Sequence, residues 1–220
     1  MNPPDPDLAA VLAAQGIELP SDQIALLQKY CQVLWDWNTR INLTRHTDYA
    51  KFVGRDLVDS RAIAQFLQAG EKVLDVGSGG GVPGVVLAIL RPDLSIVLSE
   101  SVGKKARVLD DIVAQLGLRA TVHHGRAEEV VARQRFDTLV VRAVTRLGKL
   151  LQWFAPHWNH IGRLLVLKGP SWVEERGEAR HFGLMKNLAL RKLAVYPFYG
   201  SDAESVLLQI SPEEKTPKTA

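Results

Sequence analysis

The fold is decided by the stretch Val73-Leu74-Asp75-Val76-Gly77-Ser78-Gly79-Gly80-Gly81-Val82-Pro83-Gly84, in which a short apolar run precedes five glycines within eight residues. The apolar run predicts a buried strand, and the apolar residues after Pro83 predict a helix with that proline in its first turn. Glycines at such a turn permit positive φ and let the backbone approach a ligand, which the N–H groups at the helix start would face. Asp75 would add an acceptor for ribose hydroxyls or an amino group. The stretch therefore predicts a nucleotide-binding turn, with a glycine-rich surface turn as the alternative.

Composition limits the class of protein. The 220 residues suffice for one α/β domain with an appendage, and 46% hydrophobic and 23% charged residues are ordinary for a soluble globular protein. No apolar run approaches the ~20 residues that cross a bilayer, and the N-terminus does not resemble a signal peptide. Cys31 is the only cysteine, so no intrachain disulfide or cysteine-based metal site is expected. These features predict a cytoplasmic protein. Its net charge of +3 permits a nucleic-acid partner without demanding one.

The first 70 residues are predicted to form a helical cap. Residues 8–15 predict a short helix, and a longer one begins near Pro20, with apolar residues from Ile24 to Trp37 spaced three and four apart on one face. A third helical stretch covers about residues 48–67. No strand is predicted in this region, so residues 1–70 are expected to pack on, or beside, the domain that follows.

From residue 71 onward the pattern alternates between strands and helices. Strands are predicted at 72–76, 95–99, 120–124, 136–141 and 162–168, with helices near 82–90, 103–116, 127–133 and 147–158 between them. After a helix over about 172–188, extended runs at 191–196 and 204–210 lie too close together for a helical crossover and predict an antiparallel hairpin at the sheet edge. The result is an α/β fold over residues 71–210, with a doubly wound, mostly parallel sheet. Residues 211–220 are predicted to form a disordered tail.

Ligands of open α/β sheets bind beyond the carboxyl ends of the strands, and those positions hold the candidate site residues. They are Gly77, Ser78, Gly79 and Gly81 after the first strand, Glu100 at the end of the second, residues 125–128 after the third, Arg142 at the end of the fourth and Lys168 at the end of the fifth. Glu100 suits a carboxylate that holds ribose hydroxyls, although it could instead cap the next helix. Arg142 and Lys168 each follow an apolar run, where a charged side chain needs a partner or a function. Asn38 and Asn42, between the second and third helices, could cap helices or bind a base edge.

The glycine spacing discriminates between nucleotide ligands. A dinucleotide fingerprint would place its third glycine at position 82, where this chain has Val82, and no G-x-x-x-x-G-K-[ST] motif for a triphosphate occurs. The spacing Asp75-x-Gly77-x-Gly79-x-Gly81 instead resembles the first motif of S-adenosylmethionine-dependent methyltransferases. The predicted hairpin also matches the seven-stranded sheet of that superfamily.

More of the chain resembles one family within that superfamily. The pattern consists of Trp37-Asn38, Asn42-Leu43-Thr44, Val58-Asp59-Ser60, the stretch from Asp75 to Gly84, Gly103-Lys104-Lys105, Arg126-Ala127-Glu128-Glu129, Arg142-Ala143 and Leu167-Lys168-Gly169. In order and spacing it resembles RsmG, formerly GidB, a family that methylates N7 of one guanine in bacterial small-subunit (16S) ribosomal RNA. The resemblance covers roughly residues 8–210. One departure is Asp56, which stands where the family usually has a histidine.

The resemblance implies the cofactor, the partner and the site. The cofactor would be S-adenosylmethionine, in contact with Gly77, Ser78, Gly79, Gly81, Val82, Ala127, Glu128 and Arg142, with Glu100 at the ribose. The partner would be small-subunit ribosomal RNA or a ribosomal subunit, approaching near Asn38, Asn42 and Lys168. Apart from the resemblance, a monomer is the plain expectation for the chain. Because N7 carries a lone pair and no proton, and the methyl group is activated on a sulfonium, no general base and no metal are expected.

Three other functions remain open on the sequence. A methyltransferase of this fold could act on another acceptor, and a non-enzymatic RNA-binding protein could use only basic clusters such as residues 104–107. A nicotinamide-dependent oxidoreductase is disfavoured by Val82. Binding of S-adenosylmethionine or of NADH would discriminate between these classes.

Overall fold

The computed structural model describes residues 7–197 and 204–213, which form nine α-helices and a seven-stranded sheet. The helices are α1 (Leu8–Ala14), α2 (Ser21–Asn38), α3 (Tyr49–Lys51), α4 (Val58–Ala64), α5 (Gly84–Leu90), α6 (Gly103–Leu116), α7 (Ala127–Val131), α8 (Leu147–Phe154) and α9 (Trp172–His181). A π-helical stretch (Phe52–Leu57) joins α3 to α4, and a 3₁₀ stretch (Ala155–His160) follows α8. The strands are β1 (Lys72–Val76), β2 (Ser95–Glu100), β3 (Ala120–His124), β4 (Phe136–Arg142), β5 (Ile161–Lys168), β6 (Leu188–Pro197) and β7 (Glu204–Pro212).

The sheet has the order β3-β2-β1-β4-β5-β7-β6. Strands β1 to β5 are parallel, whereas β7 runs antiparallel to both β5 and β6. The predicted doubly wound, mostly parallel sheet with an antiparallel hairpin at its edge is therefore confirmed. Because the chain moves outward from β1 to β3 and then returns to β4 on the other side, the strand order reverses between β1 and β4. Ligands of open α/β sheets bind at that reversal.

Two apolar cores lie on opposite faces of the sheet. Successive side chains of a strand point to opposite faces, so Val73 packs with the cap, α5 and α6, whereas Leu74 packs with α7, α8 and α9. The cap helices share the first core, with Tyr30 and Phe52 fully buried in it. The described part of residues 1–70 is thus packed on one face of the sheet, while a domain boundary at residue 70 stays a prediction.

Several predicted boundaries differ from the structure; strand β6, for example, begins at Leu188 rather than at residue 191. The helix predicted over 172–188 ends at His181, because Gly183 adopts a left-handed conformation (φ 68°) and β6 begins at Leu188. The helix predicted over 147–158 ends at Phe154, shortly before Pro156, which lacks an N–H donor. Strand β7 extends through Pro212, two residues into the segment predicted as a disordered tail. The rest of that prediction, residues 214–220, lies outside the described residues.

Across residues 7–197 and 204–213, the structure contains no helix with both the length and the apolarity that a bilayer crossing requires.

Candidate functional site

The turn after β1, residues 77–84, is here called the glycine loop. Its glycines adopt positive φ angles at Gly77 (68°), Gly79 (57°) and Gly81 (102°), as predicted. A Cβ on Gly81 would lie 2.6 Å from Val85 Cγ2, so this position excludes a side chain on steric as well as conformational grounds. Helix α5 begins at Gly84, so Pro83 is its N-cap residue rather than part of its first turn.

Asp75 does not face the ligand side of the glycine loop, and the expectation that it would offer an acceptor to a ligand is wrong. Its side chain is buried, and Oδ2 accepts a hydrogen bond from Gly84 N at 3.0 Å. A Cβ on Gly84 would lie 2.5 Å from that oxygen, so the glycine permits the approach. Burial raises the pKa of Asp75 to about 7. Asp75 therefore caps α5 from below the loop.

Glu100 holds two neighbouring segments of the chain through its carboxylate. Oε1 accepts from Val102 N at 2.8 Å, which holds the chain before α6, and Oε2 accepts from Gly79 N at 2.9 Å, which holds the glycine loop. Glu100 O also accepts from Gly125 N at 3.0 Å and so positions the segment that precedes Ala127 and Glu128. Each carboxylate oxygen can accept a further hydrogen bond, so the side chain can still bind hydroxyl groups.

At the end of β4, Arg142 forms a group with three side chains of the cap. The four residues are here called the Arg142 cluster: Arg142, Asp56, Asp59 and His46. Arg142 Nη2 donates to Asp56 Oδ1 at 2.5 Å, and Arg142 Nε lies 3.2 Å from Asp59 Oδ2. His46 Nδ1 lies 2.9 Å from the other oxygen of Asp56. Burial acts to lower the pKa of Arg142, but the two carboxylates outweigh it, and the pKa is raised. The guanidinium therefore stays charged.

The outer side of the cluster is closed by strands β6 and β7. Tyr196 Oη donates to Asp59 Oδ1 at 2.8 Å, and Ser205 Oγ lies 3.3 Å from the same oxygen. Burial, followed by the negative charge of Asp59, raises the pKa of Tyr196. One donor of the cluster is left over, because the buried Nη1 of Arg142 has no hydrogen-bond partner among the described residues. Buried polar groups are rarely left unpaired, and a bound ligand or water is a common explanation.

A cavity of about 360 Å³ lies between the glycine loop, Glu100 and the Arg142 cluster. It is lined by Leu34, Leu43, Thr44, Arg45, His46, Asp56, Gly77, Ser78, Gly79, Gly80, Val82, Glu100, Lys105, Arg142 and Ala143. The structure thus brings together six of the nine residues predicted to bind the cofactor. The other three do not line the cavity: Gly81 is buried within the glycine loop, and Ala127 and Glu128 lie outside the lining.

A second, smaller cavity of about 140 Å³ lies between β4 and β5. The two cavities share Arg142 and Ala143. Ala143 has a φ of 54°, which is uncommon for a residue with a side chain. Such conformations persist where the surroundings impose them, and they cluster at functional sites.

The three residues predicted to contact RNA have different environments. Asn38 Oδ1 accepts from Leu43 N (2.7 Å) and Thr44 N (2.9 Å), so its side chain holds the segment between α2 and α3. Asn42 is exposed on that segment. Lys168 lines the smaller cavity, but its ammonium group donates to Thr145 O and pairs with Glu175, both at 2.7 Å. Burial acts to raise the pKa of Glu175, but hydrogen bonds led by that from Lys168 lower it.

Most of the lining residues that sequence reasoning missed come from the cap; the others are Gly80, Lys105 and Ala143. Thr44, His46 and Asp56 line the cavity from segments that precede the sheet in the chain. One signal was available for part of this set. Asp56 and Asp59 lie on the same face of a predicted helix as the apolar residues Phe52 and Ile63, and charged residues on such a face need partners.

Comparison with known proteins identifies close relatives. A family model described as GidB, rRNA small subunit methyltransferase G, matches residues 23–195. The chain is 51% identical to ribosomal RNA small subunit methyltransferase G of Rhodopirellula baltica over 193 residues, which cover 88% of this chain and 84% of the relative. It is 34% identical to the protein of the same name in Clostridium novyi, with 94% and 89% coverage.

Among solved structures, M. capricolum TrmK in complex with S-adenosylhomocysteine has a TM-score of 0.57 to this chain at 12% identity. The match covers 73% of this chain and 71% of that one. At this identity the likeness concerns the fold.

Proposed function

The chain belongs to the rRNA small subunit methyltransferase G family, and from this premise we propose that it transfers the methyl group of S-adenosylmethionine to N7 of a guanine in small-subunit (16S) ribosomal RNA. Family membership sets aside the nicotinamide-dependent oxidoreductase and the non-enzymatic RNA-binding protein. The observation that carries the proposal is the cavity at the strand-order reversal, which joins the glycine loop to Glu100 and the Arg142 cluster.

The residues around the cavity fit an adenosine that bears an amino acid. Gly77 and Gly79 bring backbone close to the ligand, and Glu100 retains acceptor capacity for ribose hydroxyls. At the other end, Arg142 has a buried donor without a partner in the described chain, which suits a polar ligand group. From the resemblance to the methyltransferase family, we also propose that the cofactor contacts Ser78, Gly81, Val82, Ala127 and Glu128.

In methyl transfer to N7, the main task of the side chains is to position the cofactor and the guanine. The bound cofactor supplies a methyl group on a sulfonium, and N7 of guanine offers a lone pair without a proton to remove. The rate then depends on holding the two reactants in line and on the charges around them. The methylated base is cationic, and the carboxylates of Asp56 and Asp59 offset positive charge near the site.

The approach of the RNA follows from the cavities. We propose that the guanine enters over Ala143, where the two cavities meet, and that Asn42 contacts the RNA from its exposed position. Asn38 and Lys168 would act on the RNA by holding loops, since their polar groups already bind the chain. We further propose that the protein works in the cytoplasm as a monomer.

The test is a methylation assay with purified chain, labelled S-adenosylmethionine and small-subunit ribosomal RNA, or the subunit itself, from cells that lack this modification. The expected product is 7-methylguanine at one position, found by chemical cleavage and mass spectrometry. Gly79→Asp, which places a carboxylate beside Glu100, should abolish cofactor binding, whereas Gly177→Ala on the exposed face of α9 serves as the matched control. Methylation of a different atom or a different RNA would contradict the proposal.

A further inference from the structure

His46 is the member of the Arg142 cluster to which the proposed function gives no role. Its side chain is 28% exposed and lines the cavity. Its backbone is held on both sides, because His46 N donates to Thr44 Oγ1 (3.0 Å) and His46 O accepts from Trp35 Nε1 (2.8 Å). Its Nδ1 contacts Asp56 at 2.9 Å. The imidazole is therefore fixed at the edge of the cavity.

The contact with Asp56 decides which ring nitrogen carries the proton. Asp56 is a carboxylate paired with the Arg142 guanidinium, so it accepts and Nδ1 of His46 donates. Nε2 of the neutral ring is then an acceptor, and within the described chain it has no partner. A fixed acceptor in a ligand cavity suits a ligand group that donates hydrogen bonds.

The strand order indicates which part of the ligand reaches His46. Glu100 lies at the end of β2 and the Arg142 cluster at the end of β4, on opposite sides of β1. A ligand whose ribose lies at Glu100 and which crosses the glycine loop therefore brings its other end to the cluster. In S-adenosylmethionine that end is an amino acid, whose α-ammonium group is a donor.

The two cavities distinguish the cofactor from the acceptor base. His46 lines the cavity of the glycine loop, whereas the smaller cavity between β4 and β5 is lined without it. Its ligand is therefore the molecule that contacts the glycine loop. Asp56, in contact with the ring, adds negative charge next to it, and the Arg142 guanidinium offsets part of that charge.

We propose that Nε2 of His46 accepts a hydrogen bond from the α-ammonium group of S-adenosylmethionine, and that Asp56 orients the ring for this contact. The inference rests on the proposed function, from which it takes the cofactor. His46 thereby fixes the amino-acid end of the ligand.

The test is calorimetric titration of the full chain with two ligands. S-adenosylhomocysteine has the amino acid, whereas 5′-methylthioadenosine lacks it. His46→Asn keeps an amide donor near Asp56 but has no atom in place of Nε2. This variant should bind S-adenosylhomocysteine roughly tenfold to a hundredfold more weakly, the range for a hydrogen bond to a charged group, and bind methylthioadenosine as the wild type does.

Two further variants make the outcome specific. His46→Gln, whose amide oxygen can reach the position of Nε2, should recover part of the lost affinity. His181→Asn, at the exposed end of α9, should change neither affinity. Because both ligands are titrated into the same sample, a partly unfolded fraction would lower the number of sites for both equally.

Equal changes for the two ligands, or no change for either, would overturn the role of His46 while leaving the proposed function intact. A change confined to the KM for RNA would overturn it as well. If the wild-type chain bound neither ligand, the proposed function itself would fail.

Discussion

The glycine loop and the Arg142 cluster lie at the ends of neighbouring strands, yet they are held by opposite means. The loop is held by its own backbone: Gly79 N and Gly84 N each donate to a carboxylate, and the missing Cβ atoms let the chain close on itself. The cluster is held by long side chains that join β4 to segments about 90 residues earlier in the chain, as in the Arg142–Asp56 pair 86 residues apart. One part of the site is thus formed by residues that lie close together in the sequence. The other part forms only when distant segments of the chain come together on folding.

The largest effect on the free energy of unfolding is expected from a substitution that removes the cation of the Arg142 cluster. Arg142→Met leaves Asp56 and Asp59 buried without their main cation, and removal of one partner from a buried ion pair costs about 3–5 kcal/mol of unfolding free energy. Urea denaturation measures it. The double variant with Asp56→Asn should lose less than the sum of the two single changes, and an additive result would contradict the coupling.

The second effect is a pH dependence of the free energy of unfolding, which comes from Asp75 beneath the glycine loop. Burial raises the pKa of Asp75 to about 7 in the folded chain, against about 3.9 when unfolded. The folded state therefore binds the extra proton, and the stability it contributes is fully present below about pH 4 and is lost as the pH rises through about 7, by an amount on the order of 4 kcal/mol. Unfolding of the wild type and Asp75→Asn from pH 4 to 8 measures the difference, and parallel profiles would contradict it.

The third effect tests the close packing of the loop. In Gly84→Ala the new methyl group would meet Leu98 and lie 2.8 Å from Asp75 Cβ, which should lower the unfolding free energy by about 1–3 kcal/mol. Gly177→Ala is the control, because nothing lies within 4 Å of its new Cβ and helix propensity should raise stability by about 0.5–1 kcal/mol. The same sign for both variants would show that the loop is not closely packed.

The smallest effect concerns the link between the cap and the loop. Tyr30 Oη donates to Gly80 O at 2.8 Å, and Tyr30→Phe removes only this hydrogen bond from a fully buried ring. The expected loss is about 1 kcal/mol, with a weaker affinity for S-adenosylhomocysteine as the loop loses its support. An unchanged affinity would show that the loop holds its position without the cap.

The sequence predicted the local half of the site far better than the other half. The positive φ angles of Gly77, Gly79 and Gly81 follow from residue type and spacing, and the sheet follows from alternating apolar runs. The exception was Asp75, since the sequence cannot tell on which side of a turn a carboxylate lies. It accepts from Gly84 N, nine residues later.

The cluster could not be predicted, because its partners are chosen by packing. Arg142 was identified as a charge in need of a partner, but nothing in its neighbourhood along the chain indicates Asp56 or His46. Lys168 shows the same limit: its position at the end of β5 was correct, whereas its pairing with Glu175 depends on how α9 packs against the strand. Residue type predicts that a buried charge has a partner, and only the fold supplies it.

The placement of Asp56 and Asp59 in the cap has a consequence for synthesis on the ribosome. The chain emerges from its N-terminus, so both carboxylates leave the exit tunnel well before Arg142, and Asp59 leaves before Tyr196, which is 137 residues away. Until then the two carboxylates have partners only inside the cap, Arg55 for Asp59 and His46 for Asp56, and the cation of β4 that contacts both is missing. The contacts around the two carboxylates are therefore expected to be completed only after β4 has been translated, so the site forms later in synthesis than the rest of the cap.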